Sequence, residues 1–282
     1  MKAGLLIDTT KCIGCGGCTL ACKEANDLPK DNRVGADGLC PAEPDRGKAW
    51  KPSQGFHVDD SQSLSATTWT IVEKREGVHI RRMCMHCEDP ACASVCPVAA
   101  LRKTPEGAVT YDETRCIGCR YCMMGCPFGI PRYEWSKAVP RVRKCILCYE
   151  NATRLGKPTA CASVCPTGAT KFGERAALVR EAEERIRNQP DHYTDHVFGL
   201  TEAGGTSVLF LAAVDFARLG FRTHLRKERY PQLTWNVLSR LPNVVSVAGA
   251  GMAGVWWLMN RREAVALEEK SLPGHAANKE KS

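Results

Sequence analysis

Sixteen of the seventeen cysteines in this 282-residue chain fall into four motifs, whose spacing limits the possible folds more than any other sequence feature. The first motif is Cys12, Cys15, Cys18 and Cys22; the second is Cys84, Cys87, Cys92 and Cys96; the third is Cys116, Cys119, Cys122 and Cys126; and the fourth is Cys145, Cys148, Cys161 and Cys165. So many thiols indicate a disulfide framework, several zinc sites or iron-sulfur clusters. The spacing decides among these three chemistries.

The first and third motifs have the C-x2-C-x2-C-x3-C run of bacterial ferredoxins, while the second and fourth keep its terminal C-x3-C after longer insertions. In the close run, three thiolates can converge on one cluster, and glycines permit the tight turns that point backbone N–H groups at its sulfides. The last cysteine of each run binds the other cluster in two-cluster ferredoxins. Four motifs therefore predict two pairs of motifs and four [4Fe-4S] clusters.

Zinc and disulfides explain this spacing less well. Zinc would need only the C-x2-C pairs and would leave eight cysteines unexplained, while disulfides in a C-x2-C-x2-C run would crowd one another. Cys40 has no companion cysteine and is predicted to be a bystander thiol. His86, inside the second motif, is predicted to be a hydrogen-bonding neighbour of a metal site rather than a ligand.

The formal net charge of +8 would ordinarily suggest an anionic partner such as nucleic acid. An oxidised [4Fe-4S] core carries about +2 and takes four thiolates, so four clusters add about −8 and cancel this excess. We therefore expect no nucleic-acid partner. Lys11, Arg115 and Lys144 lie beside cysteine motifs and are expected either to raise the local redox potential or to be solvated surface charges.

The chain between and after the motifs predicts a mixed α+β fold. The predicted elements are strands at Leu5–Ile7, Thr67–Val72, Val78–Ile80 and Ala169–Phe172 and a helix at Glu174–Asn188. The second and third of these strands are expected to form a hairpin with its turn at residues 73–77. Residues 28–66 are rich in Pro, Gly, Asp and Ser and are predicted to be an inserted loop region.

Asn243–Met259 is an uncharged stretch that follows Pro242 and precedes Arg261 and Arg262. Its length lies at the lower edge of what spans a hydrocarbon core, about 17 to 25 residues. Paired tryptophans beside the basic end suit a membrane interface, and the many Gly and Ala residues suit helix packing in lipid. We predict a transmembrane helix, with a buried core helix as the alternative.

No feature of the sequence indicates substrate chemistry. The sequence contains no evident nucleophile with a positioned base, phosphate-binding Walker loop or dinucleotide fingerprint. The chain is therefore expected to conduct electrons without catalysing a reaction of its own: it holds clusters in a row, buries them and sets their potentials.

Two sets of motifs resemble a known family. The order of CIGCRYCMMGCPFGIPRY, KCILCYE and CASVCPTGATKFG resembles the four-cluster iron-sulfur (beta) subunit of the molybdopterin oxidoreductase family, over residues 1 to about 190. The later HVFGLTEAGGTSVLFL, followed by one hydrophobic helix, is similar to the beta subunit of membrane-bound respiratory formate dehydrogenase and to the iron-sulfur subunit of hydrogenase-2-type enzymes. No twin-arginine leader like that of the hydrogenase relatives is visible in the sequence, so a chain of the formate dehydrogenase type is expected.

The resemblance implies that the first motif pairs with the fourth and the second with the third. The implied ligand sets are Cys12, Cys15, Cys18 and Cys165; Cys145, Cys148, Cys161 and Cys22; Cys84, Cys87, Cys92 and Cys126; and Cys116, Cys119, Cys122 and Cys96. Relatives that replace a cysteine of the third motif bind a three-iron cluster there, whereas this chain keeps all four, so four [4Fe-4S] clusters are expected.

The implied partners are a large catalytic subunit, an integral membrane subunit that binds quinone or haem, and membrane lipid. The catalytic subunit would be a molybdenum or tungsten formate dehydrogenase or, alternatively, a NiFe hydrogenase. The implied location is the bacterial inner membrane with the cluster domain on the periplasmic face. No cleavable signal peptide is visible, so the catalytic partner would carry the chain across the membrane.

The expected architecture is two ferredoxin-like units related by pseudo-two-fold symmetry, with inserted loops and a single C-terminal transmembrane helix. The expected domains are a cluster domain at 1–190 with an insertion at about 28–80, an extension at 191–241, an anchor helix at 242–262 and a polar tail at 263–282. A soluble polyferredoxin, with the last helix merely buried, is the alternative.

Overall fold

The structure is a computed structural model that describes residues 1–29, 63–135 and 137–271. The chain divides into two compact units, Met1–Pro231 and Gln232–Ser282. The strands are β1 Ala3–Asp8, β2 Ile71–Arg75, β3 Val78–Arg82, β4 Leu101–Lys103, β5 Val109–Tyr111, β6 Arg132–Tyr133, β7 Val142–Arg143, β8 Thr170–Glu174 and β9 Val208–Leu211. The helices are α1 Gly17–Ala25, α2 Ala91–Ser94, α3 Tyr121–Gly125, α4 Ala160–Ser163, α5 Arg175–Asn188, α6 Tyr230–Leu238 and α7 Leu241–Ser271.

A three-stranded sheet in the order β8-β1-β9 lies at the centre of the first unit. Strand β1 pairs antiparallel with β8 and parallel with β9. All six residues of β1 are buried, so both of its faces are covered, as in strands with apolar neighbours on each side. The strands predicted around Leu5–Ile7 and Ala169–Phe172 are confirmed.

Helix α5 covers one face of this sheet. Leu178 and Ala182 are buried and pack in one apolar cluster with Leu6 of β1. Their spacing of four residues places them on one side of the helix, and Glu174 precedes the first turn. The predicted helix Glu174–Asn188 is therefore confirmed, with its first helical residue at Arg175.

The predicted hairpin is present, but its first strand begins and ends later in the sequence than predicted. Strand β2 begins at Ile71 and continues to Arg75, which pairs with Val78. Glu76 and Gly77 have φ angles of 50° and 77°, as a two-residue type I′ turn requires, so the strand extends through residues that were predicted to form the turn. The residues before Ile71 instead form a turn in which the Trp69 ring N–H donates to the Ala66 carbonyl.

Residues 191–231 belong to the same compact unit as the cysteine motifs. Strand β9 completes the central sheet, and Phe198, Phe210 and Phe216 surround Phe221, with ring centroids 4.7 to 5.2 Å from it. The segment's glycines interrupt any helical or strand periodicity, and its role was not readable from the sequence.

Two pairs of short helices connect the cysteine motifs. Helix α1 of the first motif packs against α4 of the fourth, and α2 of the second packs against α3 of the third. Small two-stranded sheets, β4-β5 and β6-β7, lie between or after these helices. The predicted pseudo-two-fold relation between the two halves stays a prediction.

The second unit contains a long apolar helix. The helical stretch Tyr230–Glu269 is long and apolar enough to cross a membrane, with a mean hydropathy of 1.3 over its most apolar window. None of that window is buried, so the described residues do not support the alternative of a core helix. Helix α7 continues past Arg262 to Ser271 because the residues after Arg262 are mostly strong helix formers.

The predicted loop region at 28–66 and the bystander Cys40 fall largely or wholly in residues 30–62, which lie outside the described residues. Most of the predicted polar tail, from residue 272 onward, also lies outside them.

Candidate metal centres

The cysteine side chains of the described chain lie in four groups, which we name sites A to D. Site A contains Cys12, Cys15, Cys18 and Cys165; site B contains Cys22, Cys145, Cys148 and Cys161; site C contains Cys84, Cys87, Cys92 and Cys126; and site D contains Cys96, Cys116, Cys119 and Cys122. Each site therefore combines three cysteines of one motif with one cysteine of another. The four cysteines of site A line one cavity, and those of site D line another.

Left-handed backbone turns position the first cysteines of each motif. Gly14 and Gly16 have φ angles of 74° and 67°, and a Cβ at Gly14 would lie 2.4 Å from the His79 ring. In the third motif Arg120 takes the position that Gly16 has in the first, with a φ of 64°. Such conformations are costly for residues with a side chain, and they cluster at binding sites.

Backbone N–H groups point at several thiols. Ala100 N–H lies 3.2 Å from Cys96 Sγ, Thr170 N–H lies 3.4 Å from Cys165 Sγ, and Leu147 N–H lies 3.4 Å from Cys145 Sγ. Donors of this kind stabilise thiolates and raise the redox potential of a cluster that the thiolates hold.

Burial strongly disfavours the ionised form of these thiols. It raises the pKa of Cys18 in site A and of Cys22 in site B to about 12. Burial also raises the pKa of Cys92 in site C to about 12 and that of Cys122 in site D to about 11. Four mutually close buried thiols can ionise together only if a strongly cationic group replaces their protons, which an iron-sulfur core does.

Within residues 1–29, 63–135 and 137–271, no three His, Cys, Asp or Glu side chains converge on the position of one metal ion. The ligands of a [4Fe-4S] cluster bind four different iron atoms, so they surround a cube instead of meeting at one point. Each of the four sites contains four cysteine thiols, which is the set of ligands that such a cluster takes.

Site D has a less buried end. Cys119 is exposed. The pKa of Cys116 lies below its ordinary value, because hydrogen bonds from the Tyr111 hydroxyl and from the N–H groups of Val142 and Gly118 outweigh the effect of burial. The Tyr111 oxygen is itself buried, and apart from the Cys116 thiol it has no hydrogen-bond partner among the described residues. It lines the same cavity as the site D cysteines, so it is available to donate to a group bound there.

Three basic residues were expected beside the sites, and only one of them is buried there. Lys144 is buried near Cys92, and its ammonium group donates to the carbonyls of Val109 and Cys145. Lys11 and Arg115 are exposed, as the alternative of solvated surface charges predicts.

His86 and Arg81 complete the buried polar surroundings. The Val109 N–H donates to His86 Nδ1 over 2.8 Å, and the role of His86 beside a metal site stays a prediction. Sequence reasoning missed Arg81, which lies buried among the thiols of sites A and B. Alternation along β3 places Arg81 and Arg82 on opposite faces of the strand, but their sequence does not reveal which face meets the cysteines.

The buried groups of four thiols, the N–H donors aimed at sulfur and the ferredoxin-like fold define an iron-sulfur electron-transfer protein of the 4Fe-4S type. The family profile described as the 4Fe-4S dicluster domain matches residues 76–175. The chain belongs to a family of iron-sulfur proteins that includes formate dehydrogenase iron-sulfur subunits and the hydrogenase-2 operon protein HybA.

Three relatives illustrate the family. A protein of Nitratidesulfovibrio vulgaris is 37% identical over 95% of this chain and 70% of its own length. HybA of Escherichia coli O157:H7 is 34% identical over 77% of this chain and 71% of its own. The iron-sulfur subunit of the nitrate-inducible formate dehydrogenase of Escherichia coli K12 is 35% identical over 73% of this chain and 66% of its own.

Proposed function

We propose that the chain relays electrons through four [4Fe-4S] clusters, one held by each of sites A to D. The relay connects a separate catalytic subunit with a quinone-reactive membrane subunit. Each bound cluster supplies reversible one-electron transfer at a potential that its surroundings set. The protein's own contribution is to hold the thiols, exclude water and place N–H donors and cations near them.

The order of the sites is the observation that carries this proposal. Neighbouring sites approach one another through specific pairs of cysteines, which interact electrostatically. The pairs are Cys18 with Cys161 between sites A and B, Cys145 with Cys84 between sites B and C, and Cys92 with Cys122 between sites C and D. Four clusters so arranged form a single row, and a row is the arrangement that conducts electrons across a subunit.

The two ends of the row have exposed apolar side chains beside them. At site A, Ile13 is half exposed, and at site D, Ile117 and Met124 are 65% and 86% exposed. Exposed apolar groups around a buried functional site are typical of protein interfaces. We assign one end to the catalytic subunit and the other to the membrane subunit.

The two implied halves of the cluster domain, related by a pseudo-two-fold axis, correspond to sites A with B and sites C with D. The packing of α1 on α4 and of α2 on α3 supports this division. We assign residues 1–190 as the cluster domain, 191–241 as its extension, 242–262 as the membrane anchor and 263–282 as a tail.

The proposed location is the bacterial inner membrane, with the cluster domain on the periplasmic face. The exposed apolar helix supports an anchor. Arg261 and Arg262 follow its uncharged stretch and favour a cytoplasmic C-terminal end.

Formate dehydrogenase is the proposed catalytic partner, and a NiFe hydrogenase is the second candidate. The formate dehydrogenase relative and HybA are 35% and 34% identical to this chain, so identity favours neither, and HybA matches over the larger share of its length. Purification of the native complex from membranes, followed by identification of its largest subunit, tests the choice. Formate-dependent bleaching of the clusters in that complex is expected, and hydrogen-dependent bleaching alone would select the second candidate.

The relay itself would be contradicted in two ways. One contradicting result is that the isolated chain oxidises formate or hydrogen at a substantial rate. The other is that no large subunit accompanies the chain from intact membranes.

A further inference from the structure

Arg81 is a buried cation that pairs with no carboxylate among the described residues. Only 3% of the residue is exposed. Its guanidinium donates through Nε to Thr70 Oγ1 over 2.9 Å and through Nη1 to Thr170 Oγ1 over 3.2 Å. Across residues 1–29, 63–135 and 137–271, no carboxylate forms an ion pair with Arg81, and its hydrogen-bond partners are the two threonine hydroxyls and the Cys161 thiol.

The groups that face this guanidinium are thiols of two different sites. Arg81 lines the site A cavity together with all four site A cysteines. It also faces Cys161, Cys145 and Cys22 of site B. The cation therefore lies between sites A and B, which are adjacent in the row.

The energetics of burial explain why a cation can remain there. Burial disfavours a cation, and the sulfur atoms of Cys161 and Cys18 face this one. An unpaired charge in a protein interior costs several kcal/mol, and only nearby negative charge offsets this cost. A [4Fe-4S] cluster with four thiolates carries a net negative charge, which increases when the cluster is reduced.

We propose that Arg81 is a fixed counter-ion shared by the clusters of sites A and B, and that it raises the redox potentials of both. This inference rests on the proposed assignment of clusters to sites A to D. A positive charge favours the more negative, reduced form of each cluster, so the presence of Arg81 makes both clusters easier to reduce. The cation also links two neighbouring steps of the row, because one side chain acts on both.

Site C has a different buried cation. Lys144 faces Cys92 of site C, and its ammonium group is held by backbone carbonyls instead of hydroxyls. The Arg81 guanidinium faces thiols of sites A and B, so its removal should leave the potentials of sites C and D unchanged.

Two substitutions at the same position separate charge from packing. Arg81→Gln keeps a hydrogen-bonding side chain beside Thr70 but removes the charge, whereas Arg81→Lys keeps the charge and changes the shape. Arg82→Met is the matched control, because Arg82 lies on the other face of β3 and pairs with Glu73. Each variant is purified in its native complex, its iron is counted, and the cluster potentials are measured by redox titration with electron paramagnetic resonance.

We expect Arg81→Gln to lower two of the four potentials. The ratio of reduced to oxidised cluster at a given potential should fall at least about tenfold, which equals about 59 mV for one electron. Arg81→Lys should change the potentials by less than half as much, and Arg82→Met should leave them unchanged. Loss of iron in the glutamine variant with full iron in the lysine variant would also support the counter-ion.

Three results would overturn the inference: unchanged potentials in a fully loaded Arg81→Gln complex, equal shifts with glutamine and lysine, or loss of iron in both. The iron content of the unmodified complex separates the two hypotheses. If that complex contains four clusters, a negative result with Arg81→Gln removes only the counter-ion. If it contains fewer, the proposed relay fails first.

Discussion

Tyr111 illustrates how a single side chain can distinguish one cysteine site from the others. Its hydroxyl is buried in the site D cavity, beside Cys116 and without another close partner among the described residues. A thiol is a weak acceptor for this hydroxyl, whereas the Cys116 thiolate of a bound cluster would be a stronger, charged acceptor. We therefore expect Tyr111 to stabilise the reduced form of the cluster in site D.

Replacing Tyr111 with Phe should lower the potential of one cluster and leave the other three unchanged. A neutral hydrogen bond contributes about 1 kcal/mol, so the expected decrease is about 40 mV for one electron. Redox titration of the native complex measures this shift. Tyr193→Phe is the matched control, since its buried hydroxyl donates to the Asp8 carboxylate instead of to a cysteine, and it should change no potential. Equal shifts in both variants would contradict the role of Tyr111.

At the level of single residues, the sequence predicts the cysteine ligands far better than the groups around them. The cysteines of one motif lie within a few residues of each other, so their local spacing predicts a shared cluster. Arg81 meets Cys18 and Cys161 only through tertiary packing of distant segments. Tyr111 lies only five residues before Cys116, but periodicity does not reveal that its side chain lines the site D cavity.

At the level of elements, short helices connect each motif to a distant one. Helix α4 of the fourth motif packs on α1 of the first, and Cys165 follows α4 directly into the cavity of site A. The last cysteine of the fourth motif therefore lies with the first motif instead of with Cys145, Cys148 and Cys161.

Cys165→Ser should damage the cluster of site A and leave that of site B intact. The expected result is the loss of one cluster, or its conversion to a form with fewer irons, while Cys145, Cys148 and Cys161 retain theirs with Cys22. Iron analysis and electron paramagnetic resonance of the purified complex measure this. Cys40→Ser is the control and should leave the iron content unchanged. A spectrum that shows damage to site B instead would contradict the motif pairing.

The sequence predicts which segments form strands better than which strands pair. Apolar and β-branched residues identified β1, β8 and the hairpin, although the tight turn at Glu76 and Gly77 shifted the hairpin's first strand. Strand β9 pairs in parallel with β1 from about two hundred residues away, and its surroundings are interrupted by glycines. No local pattern specifies a partner at that separation.

At the level of the whole molecule, the chain combines a compact unit at Met1–Pro231 with a second unit that contains the apolar helix α7. All sixteen described cysteines lie in the first unit. The strands of the central sheet and the cysteines of sites A to D are all residues of the first unit. The first unit therefore contains the structural elements that hold the proposed clusters.

Truncation after Leu241 removes the proposed membrane anchor, so it should weaken the attachment of the chain to the membrane without bleaching the clusters. Membrane pelleting of the truncated and full chains, each followed by absorbance of the bound clusters, measures both effects. Gly251→Arg is the matched control, because a charge near the centre of a spanning helix costs about 2.5 to 3.5 kcal/mol and should weaken anchoring in the intact chain. If the full chain with its partners stays soluble after pelleting, the anchor is wrong.

The count of iron and acid-labile sulfide per chain tests the central claim most directly. Four clusters, each held by four cysteines, predict about sixteen iron atoms and about sixteen sulfides in the purified native chain, with brown colour that dithionite bleaches. The count must be corrected for iron and sulfide in the partner subunits. About eight of each, or zinc without sulfide, would contradict a relay of four [4Fe-4S] clusters.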